Sequence, residues 1–185
     1  RLESLGTQAK LDRLTRLKNL AEALSPKGVR ALKLDAAGPE ISQTINDILS
    51  ECYGTRFQVA IRTTKETGKG VTKEDFSIVV LDEETGEETF VDNKSGGQEA
   101  IIKEGISLGV AVFKKQKTGA DIRTLIRDEA DGGLTSKNAH LYQKMLDKAM
   151  IMGGFAQVIF VSHKPEIQEL ATTVFRVGDG KVVQL

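Results

Sequence analysis

Ile122-Arg123-Thr124-Leu125-Ile126-Arg127-Asp128-Glu129 is an apolar run, broken by Arg123 and Thr124, that ends on two adjacent acids. The run predicts a strand over 122–126, with the acids delivered at its C-terminal end. In parallel sheets, ligands bind in the crevice beyond the carboxyl ends of the strands. Asp128 is placed there to hold Mg2+, which keeps several waters and needs only one or two protein carboxylates. Glu129 is placed to polarise a water aimed at a γ-phosphate. Alone, the pair reads equally well as the solvated start of a loop.

Two further segments bracket it. Upstream, Ser95-Gly96-Gly97-Gln98 breaks the chain before a helical stretch from about 98 to 115. Two glycines at the start of a helix leave backbone N–H groups open, and the helix adds its positive end, so the turn suits an anion. An isolated turn of this kind more often just starts a helix. Downstream, Val158 to Val161 is a continuous apolar strand followed directly by Ser162-His163. An imidazole at that edge can donate a hydrogen bond to a terminal phosphate. Each gap between these pieces holds a helix leading into the next strand, the later helix expected over 136–152. Strand and helix in alternation predict a mostly parallel, buried sheet.

The front of the chain differs. Leu2, Leu5, Leu11, Leu14, Leu17, Leu20 and Leu24 recur at three- and four-residue steps, giving an amphipathic helix over 1–24 that Ser25-Pro26 ends. Gly38-Pro39 is expected to open a second helix, with Ile41, Ile45, Ile48 and Leu49 as its buried stripe. Phe57, Val59 and Ile61 alternate with polar residues as a half-buried strand. Residues 63 to 74 read as a loop, and 76 to 81 as a strand. Glu83 to Gly86 is a turn, with 88 to 91 as hairpin partner. A short helix follows Pro165, and 174–177 with 181–185 form a closing hairpin.

Composition bounds the remainder. The 185 residues are 39% hydrophobic and 28% charged, enough for one domain with a real core. Lys plus Arg and Asp plus Glu both number 26, so bulk charge does not announce a nucleic-acid binder. The single cysteine, Cys52, forms no internal disulfide and suits a reducing compartment. No run approaches the roughly 18 apolar residues of a membrane span. The start at Arg1 reads as that of an excised fragment.

Asp128-Glu129-Ala130-Asp131 spells a helicase motif, but G-x-x-x-x-G-K-[ST] is absent and Val161-Ser162-His163 stands where Ser-Ala-Thr would be required. The order of the pieces instead resembles that of the ABC ATPases: signature motif, Walker B, D-loop, H-loop. Ile126 to Leu134 and Phe160-Val161-Ser162-His163-Lys164-Pro165 are most similar to the SbcC branch of the SMC-like ATPases, as is Val177-Gly178-Asp179-Gly180 in the last hairpin. The resemblance covers at least residues 94 to 185.

It implies an α/β fold, the C-terminal lobe of an ABC-type ATPase head. A mostly parallel sheet would be flanked by helices, with a small antiparallel β portion. Residues 1–27 would be the end of a coiled-coil arm and 28–185 the lobe. The N-terminal lobe of the same protein would supply Walker A, and a second head would complete a homodimer sandwiching ATP. Ser95, Gly96, Gly97 and Gln98 would touch the nucleotide of the other head. Asp128 would bind Mg2+ through water, Glu129 would be the general base, His163 the switch, and Gly132, Gly133, Leu134 and Thr135 the D-loop. Lys94, Arg127 and Thr135 depart from the family's usual Leu, apolar residue and Asp. Arg127 thereby predicts a more exposed strand end.

The implied function is ATP hydrolysis at the head-dimer interface, driving double-strand break repair or end processing of double-stranded DNA with an SbcD-like nuclease. This would take place in the cytoplasm at the nucleoid, and the fragment alone would be inactive. A condensin-like tether without nuclease is one alternative, and a degenerate, non-hydrolysing head is another. An ABC transporter cassette fits less well, because its gap between signature and Walker B is typically shorter.

Overall fold

The computed structural model describes residues 2–25, 28–66, 72–131, 133–134 and 138–185. The chain divides into two compact units, one of residues 1–39 with 61–77, the other of 40–60 with 78–185. The first unit contains helix α1, Leu2–Ala23. Its leucines Leu11, Leu14, Leu17, Leu20 and Leu24 are all exposed.

Helix α2 spans Val29–Tyr53 and carries Pro39 inside it. It therefore begins well before the Gly38-Pro39 start expected from sequence. Alanine, leucine, lysine and arginine before Gly38 are strong helix formers, and they extend the helix through the one hydrogen bond that proline cannot donate. Strand β1, Phe57–Glu66, and β2, Thr72–Asp82, take up most of the expected 63–74 loop. Strand β3, Glu87–Phe90, pairs antiparallel with β2 through the predicted turn, where Gly86 takes φ 71° and donates to the Asp82 carbonyl at 2.7 Å. The sheet order is β1-β2-β3.

The second unit holds the core. Helix α3, Gly96–Thr118, ends at Gly119 in the left-handed region, and α4, Ala139–Gly153, ends at Gly154 in the same way. Ile101, Ile102, Leu108 and Val112 of α3 pack with Met145 and Ala149 of α4 in one buried cluster, together with Ile45, Ile48 and Leu49 of α2. At about 25 cal/mol per Å2, this apolar burial is the dominant stabilising contribution. Short helix α5, Pro165–Gln168, is anchored by the buried Ile167.

Strands β4, Thr124–Asp128, and β5, Gln157–Val161, run parallel in the register Asp128↔Val161. Strand β4 begins two residues later than expected and includes the first acid. The fold is the expected α/β type, but its parallel portion among the described residues is these two strands. Only one face of the pair is covered. Leu125 is buried, whereas Ile126 is 66% exposed and Ile159 and Val161 are about half exposed. The hairpin of β6, Phe175–Gly178, and β7, Lys181–Gln184, is exposed throughout, with Val177 at 77%. The sequence is apolar on both faces of β5, the pattern of a strand covered twice; the second cover is not provided by the described residues. None of the described helices is long and apolar enough to cross a membrane.

Candidate nucleotide site at the strand tips

The parallel register places the ends of β4 and β5 side by side. The Glu129 N–H donates to the Val161 carbonyl at 3.1 Å, which extends the ladder one residue past Asp128. Glu129 takes φ 48°, a left-handed conformation that is uncommon for a residue with a side chain. Such strain persists only where the surroundings fix it, and it concentrates at functional sites. The turn brings the Glu129 carboxylate to His163, with Oε1 and Nε2 2.9 Å apart. Both side chains open to solvent, at 63% and 82% exposure. Asp128 is exposed beside them.

A second pair joins the same two loops, its acid buried and its serine half-buried. Asp131 is 4% exposed and accepts a hydrogen bond from Ser162 Oγ at 2.6 Å. The Lys164 ammonium reaches back across the loop to the Asp131 carbonyl at 2.7 Å and to the Leu134 carbonyl. Hydrogen bonds to a charged group contribute about 1.5–3 kcal/mol each. Pro165 after Lys164 holds that residue extended, and the Lys164 N–H donates to Ser162 Oγ at 3.0 Å. The loop after β4 is thus tied to the loop after β5 at three points: Glu129–His163, Asp131–Ser162 and the Lys164 side chain.

Ser95 caps α3, and Gln98 closes a capping box by accepting the Ser95 N–H at 3.4 Å. Gln98 is therefore engaged within its own chain. A Cβ at Gly96 would meet nothing within 4 Å, so the backbone there is open to a close approach. The exposed Gly133 comes close to α3 just past this turn: a Cβ on it would fall 2.6 Å from that of Ala100 and 3.8 Å from the Gly96 carbonyl. The structure thus places the serine-glycine turn against the loop that follows the acid pair. Gly132 and Thr135 lie outside the described residues, as does the expected helix start at Ser136.

Lys94, next to Ser95, lies 4.0 Å from Asp82 and above the Phe57 ring. Burial pushes the Asp82 carboxyl up. The Glu84 N–H, the Arg56 guanidinium and the Lys94 ammonium outweigh this and hold it below its usual value. The strand end is exposed at Ile126 and Asp128, but not through Arg127. Its side chain turns inward, where Nε donates to Glu104 Oε1 at 2.8 Å, a second nitrogen pairs with Glu104 Oε2, and a third donates to Ser107 Oγ at 3.0 Å. Glu104 is 4% exposed, and burial raises its carboxyl despite the opposing Arg127 charge.

Sequence reasoning pointed to the exposed residues of the candidate site. It missed Asp131, Ser162 and Lys164 as a network, and the Glu104–Arg127 pair. The third acid of the Asp-Glu-Ala-Asp string and the lysine after His163 were visible, but their cross-strand partners were not. The described residues contain no cluster of three or more His, Cys, Asp or Glu side chains able to hold a metal. A hard cation at Asp128 would complete its shell with water and phosphate oxygens, a donor set that suits Mg2+.

No protein-family model and no curated protein matches this sequence. Solved structures do. One, from work titled as the structural biochemistry of ATP-driven dimerization and DNA-stimulated activation of SMC ATPases, aligns with TM-score 0.60 at 15% identity, over 83% of this chain and 88% of its own. The SMC head domain of Thermotoga maritima aligns with TM-score 0.52 at 14% identity, over 86% of this chain and 54% of its own. A Pyrococcus furiosus Smc head with an extended coiled coil, bound to the C-terminal domain of ScpA, aligns with TM-score 0.53 at 16% identity, over all of this chain and 52% of its own. At these identities the likeness is one of fold: the chain spans about half the length of these last two heads.

Proposed function

We propose that the chain is the C-terminal half of an SbcC-like ATPase head, with a composite ATP site at the tips of β4 and β5. The 2.9 Å approach of Glu129 to His163 across adjacent parallel strands carries this reading. It joins a base and a hydrogen-bond donor at the strand edge where such sheets bind ligands. Glu129 accepts the proton of the attacking water, and His163 donates to a γ-phosphate oxygen. Without a phosphate, the two side chains satisfy each other. Asp128 would hold Mg2+, which when bound neutralises charge on the phosphates. The open backbone at Gly96 and the N-terminus of α3 offer donors to the nucleotide of a second head.

These 185 residues contain no Walker A motif. The uncovered apolar face of β4 and β5 supports a missing N-terminal lobe of the same protein, which would cover it and cradle the phosphates. The leucine stripe of α1 supports residues 1–27 as the end of a coiled-coil arm and 28–185 as the lobe. An SbcD-like nuclease docked at the arm, double-stranded DNA as substrate and a place at the nucleoid complete the repair reading. A tether of the SMC kind is the second reading, favoured by the SMC heads among the structural neighbours.

Adding a Walker A-bearing lobe in trans is the test. Mg-dependent ATP hydrolysis should appear with the lobe and be absent from either part alone. If no lobe or full-length chain confers hydrolysis, the head is a degenerate one. Affinity capture on the assembled head separates the other two: a metallophosphatase supports repair, a kleisin the tether.

A further inference from the structure

We infer that Lys164 is a positioning residue that couples the His163 strand tip to the serine-glycine turn of the same chain. The inference deepens the ATPase reading, on which its consequence for hydrolysis rests. The path is continuous. His163 is bonded through the chain to Lys164, whose ammonium holds the carbonyls of Asp131 and Leu134. Between those two carbonyls, Gly133 comes close to α3: a Cβ on it would fall 2.6 Å from Ala100 Cβ and 3.8 Å from the Gly96 carbonyl oxygen. Asp131 is fixed a second time by Ser162 Oγ at 2.6 Å, and Gln168 Nε2 donates to the Ser162 carbonyl at 2.8 Å, so the near end of the path is braced by α5.

Lysine suits this task because its ammonium has three donors on a flexible stem and can hold several carbonyls of a loop that offers no regular partner. The Gly133–Ala100 contact leaves no slack, since a single added carbon would fall at 2.6 Å. A displacement of the 162–164 segment therefore shifts the carbonyls of Asp131 and Leu134, and with them Gly133 against Ala100 of the helix that the turn at 95–97 begins. His163 senses the phosphate bound to its own head, and the turn at 95–97 serves the phosphate bound to the other. Lys164 thereby links the occupancy of one site to the geometry of the second.

The test uses the full-length protein with its second head. Hydrogen exchange of the 95–100 and 129–134 amides is measured without nucleotide, and ATP hydrolysis is measured over a range of ATP concentrations. Lys164→Met should speed exchange in both segments, lower kcat by about tenfold and bring the Hill coefficient to about 1, with KM for ATP held within about twofold. Lys164→Arg, which keeps charge and donors, should restore most of the loss. Unchanged exchange at 95–100 in Lys164→Met overturns the coupling, as does an unchanged Hill coefficient. A loss of melting temperature alone makes Lys164 structural and overturns it as well. If the wild type does not hydrolyse ATP, the ATPase reading fails by itself, and the exchange measurement still decides whether Lys164 connects the two loops.

Discussion

On the proposed reading, Glu129 is the residue on which the chemistry turns. Its left-handed backbone and its contact with His163 place a carboxylate at the edge of the sheet without burying it. Replacing it by Gln keeps the shape and removes the proposed base. In the assembled head, Glu129→Gln should lower ATP turnover by about 10²–10⁴-fold, with nucleotide retained in a trapped dimer, as single-turnover assays and size exclusion would show. Arg127 and Glu104 behave as a unit. Arg127→Met strands a buried carboxylate and should cost about 3–5 kcal/mol in denaturant unfolding, whereas the double change to Met at 127 and 104 should recover most of it. The Arg127→Met deficit should deepen as pH rises: a carboxyl held above its unfolded value favours the folded state when protonated and loses that advantage on ionising. Asp82 has the opposite sign. Held below its usual 3.8, its contribution is complete above that pH and fades as pH falls through the lowered value. Asp82→Asn should therefore be less stable than wild type near neutrality, with the gap in melting temperature closing in acid.

The packing of α2 on α3 depends on two glycines one turn apart, and their substitutions should differ. A Cβ at Gly105 would meet Leu49 Cδ2 at 2.5 Å and Cγ at 2.8 Å, side-chain atoms that a rotamer change can move. A Cβ at Gly109 would meet Ile45 Cγ1 at 2.5 Å and its backbone Cα at 2.9 Å. Both changes gain about 1 kcal/mol of helix propensity. At 105 that gain offsets a rotamer adjustment. At 109 the two helices must separate, an overpacking cost of about 1–3 kcal/mol that outweighs it. Thermal unfolding should therefore rank Gly109→Ala clearly below Gly105→Ala; the reverse order would mean that the helices are not in this contact. The elements themselves were largely legible. Leucine spacing marked α1, the break at Ser95-Gly96-Gly97 marked the start of α3, and the Glu83–Gly86 turn marked the hairpin. The start of α2 was not, because Pro39 is a local stop signal overridden by the helix formers before it. Strands β1 and β2 were longer than read, since hydrophobic alternation stops at Ile61 while strand backbone continues through polar residues.

At the scale of the whole molecule, the uncovered face of β4 and β5 makes a prediction of its own. Ile126, Ile159 and Val161 should become protected when a Walker A-bearing lobe binds, so amide exchange in both strands should slow on complex formation, with hydrolysis appearing in the same sample. Charged substitution at Ile159 should abolish both without unfolding the α3–α4 core, where the buried apolar contacts lie. The sequence alone determined the order and type of most elements, and it placed an acid pair and a histidine at the ends of apolar strands. These are properties of local pattern, carried by spacing and by turn residues. Only the tertiary structure decided that Glu129 meets His163 and that Lys164 holds the carbonyls of Asp131 and Leu134. The tertiary structure also turned Arg127 inward onto Glu104. Those contacts join residues far apart in the chain, and their partners follow from strand register and helix packing, which no local pattern encodes.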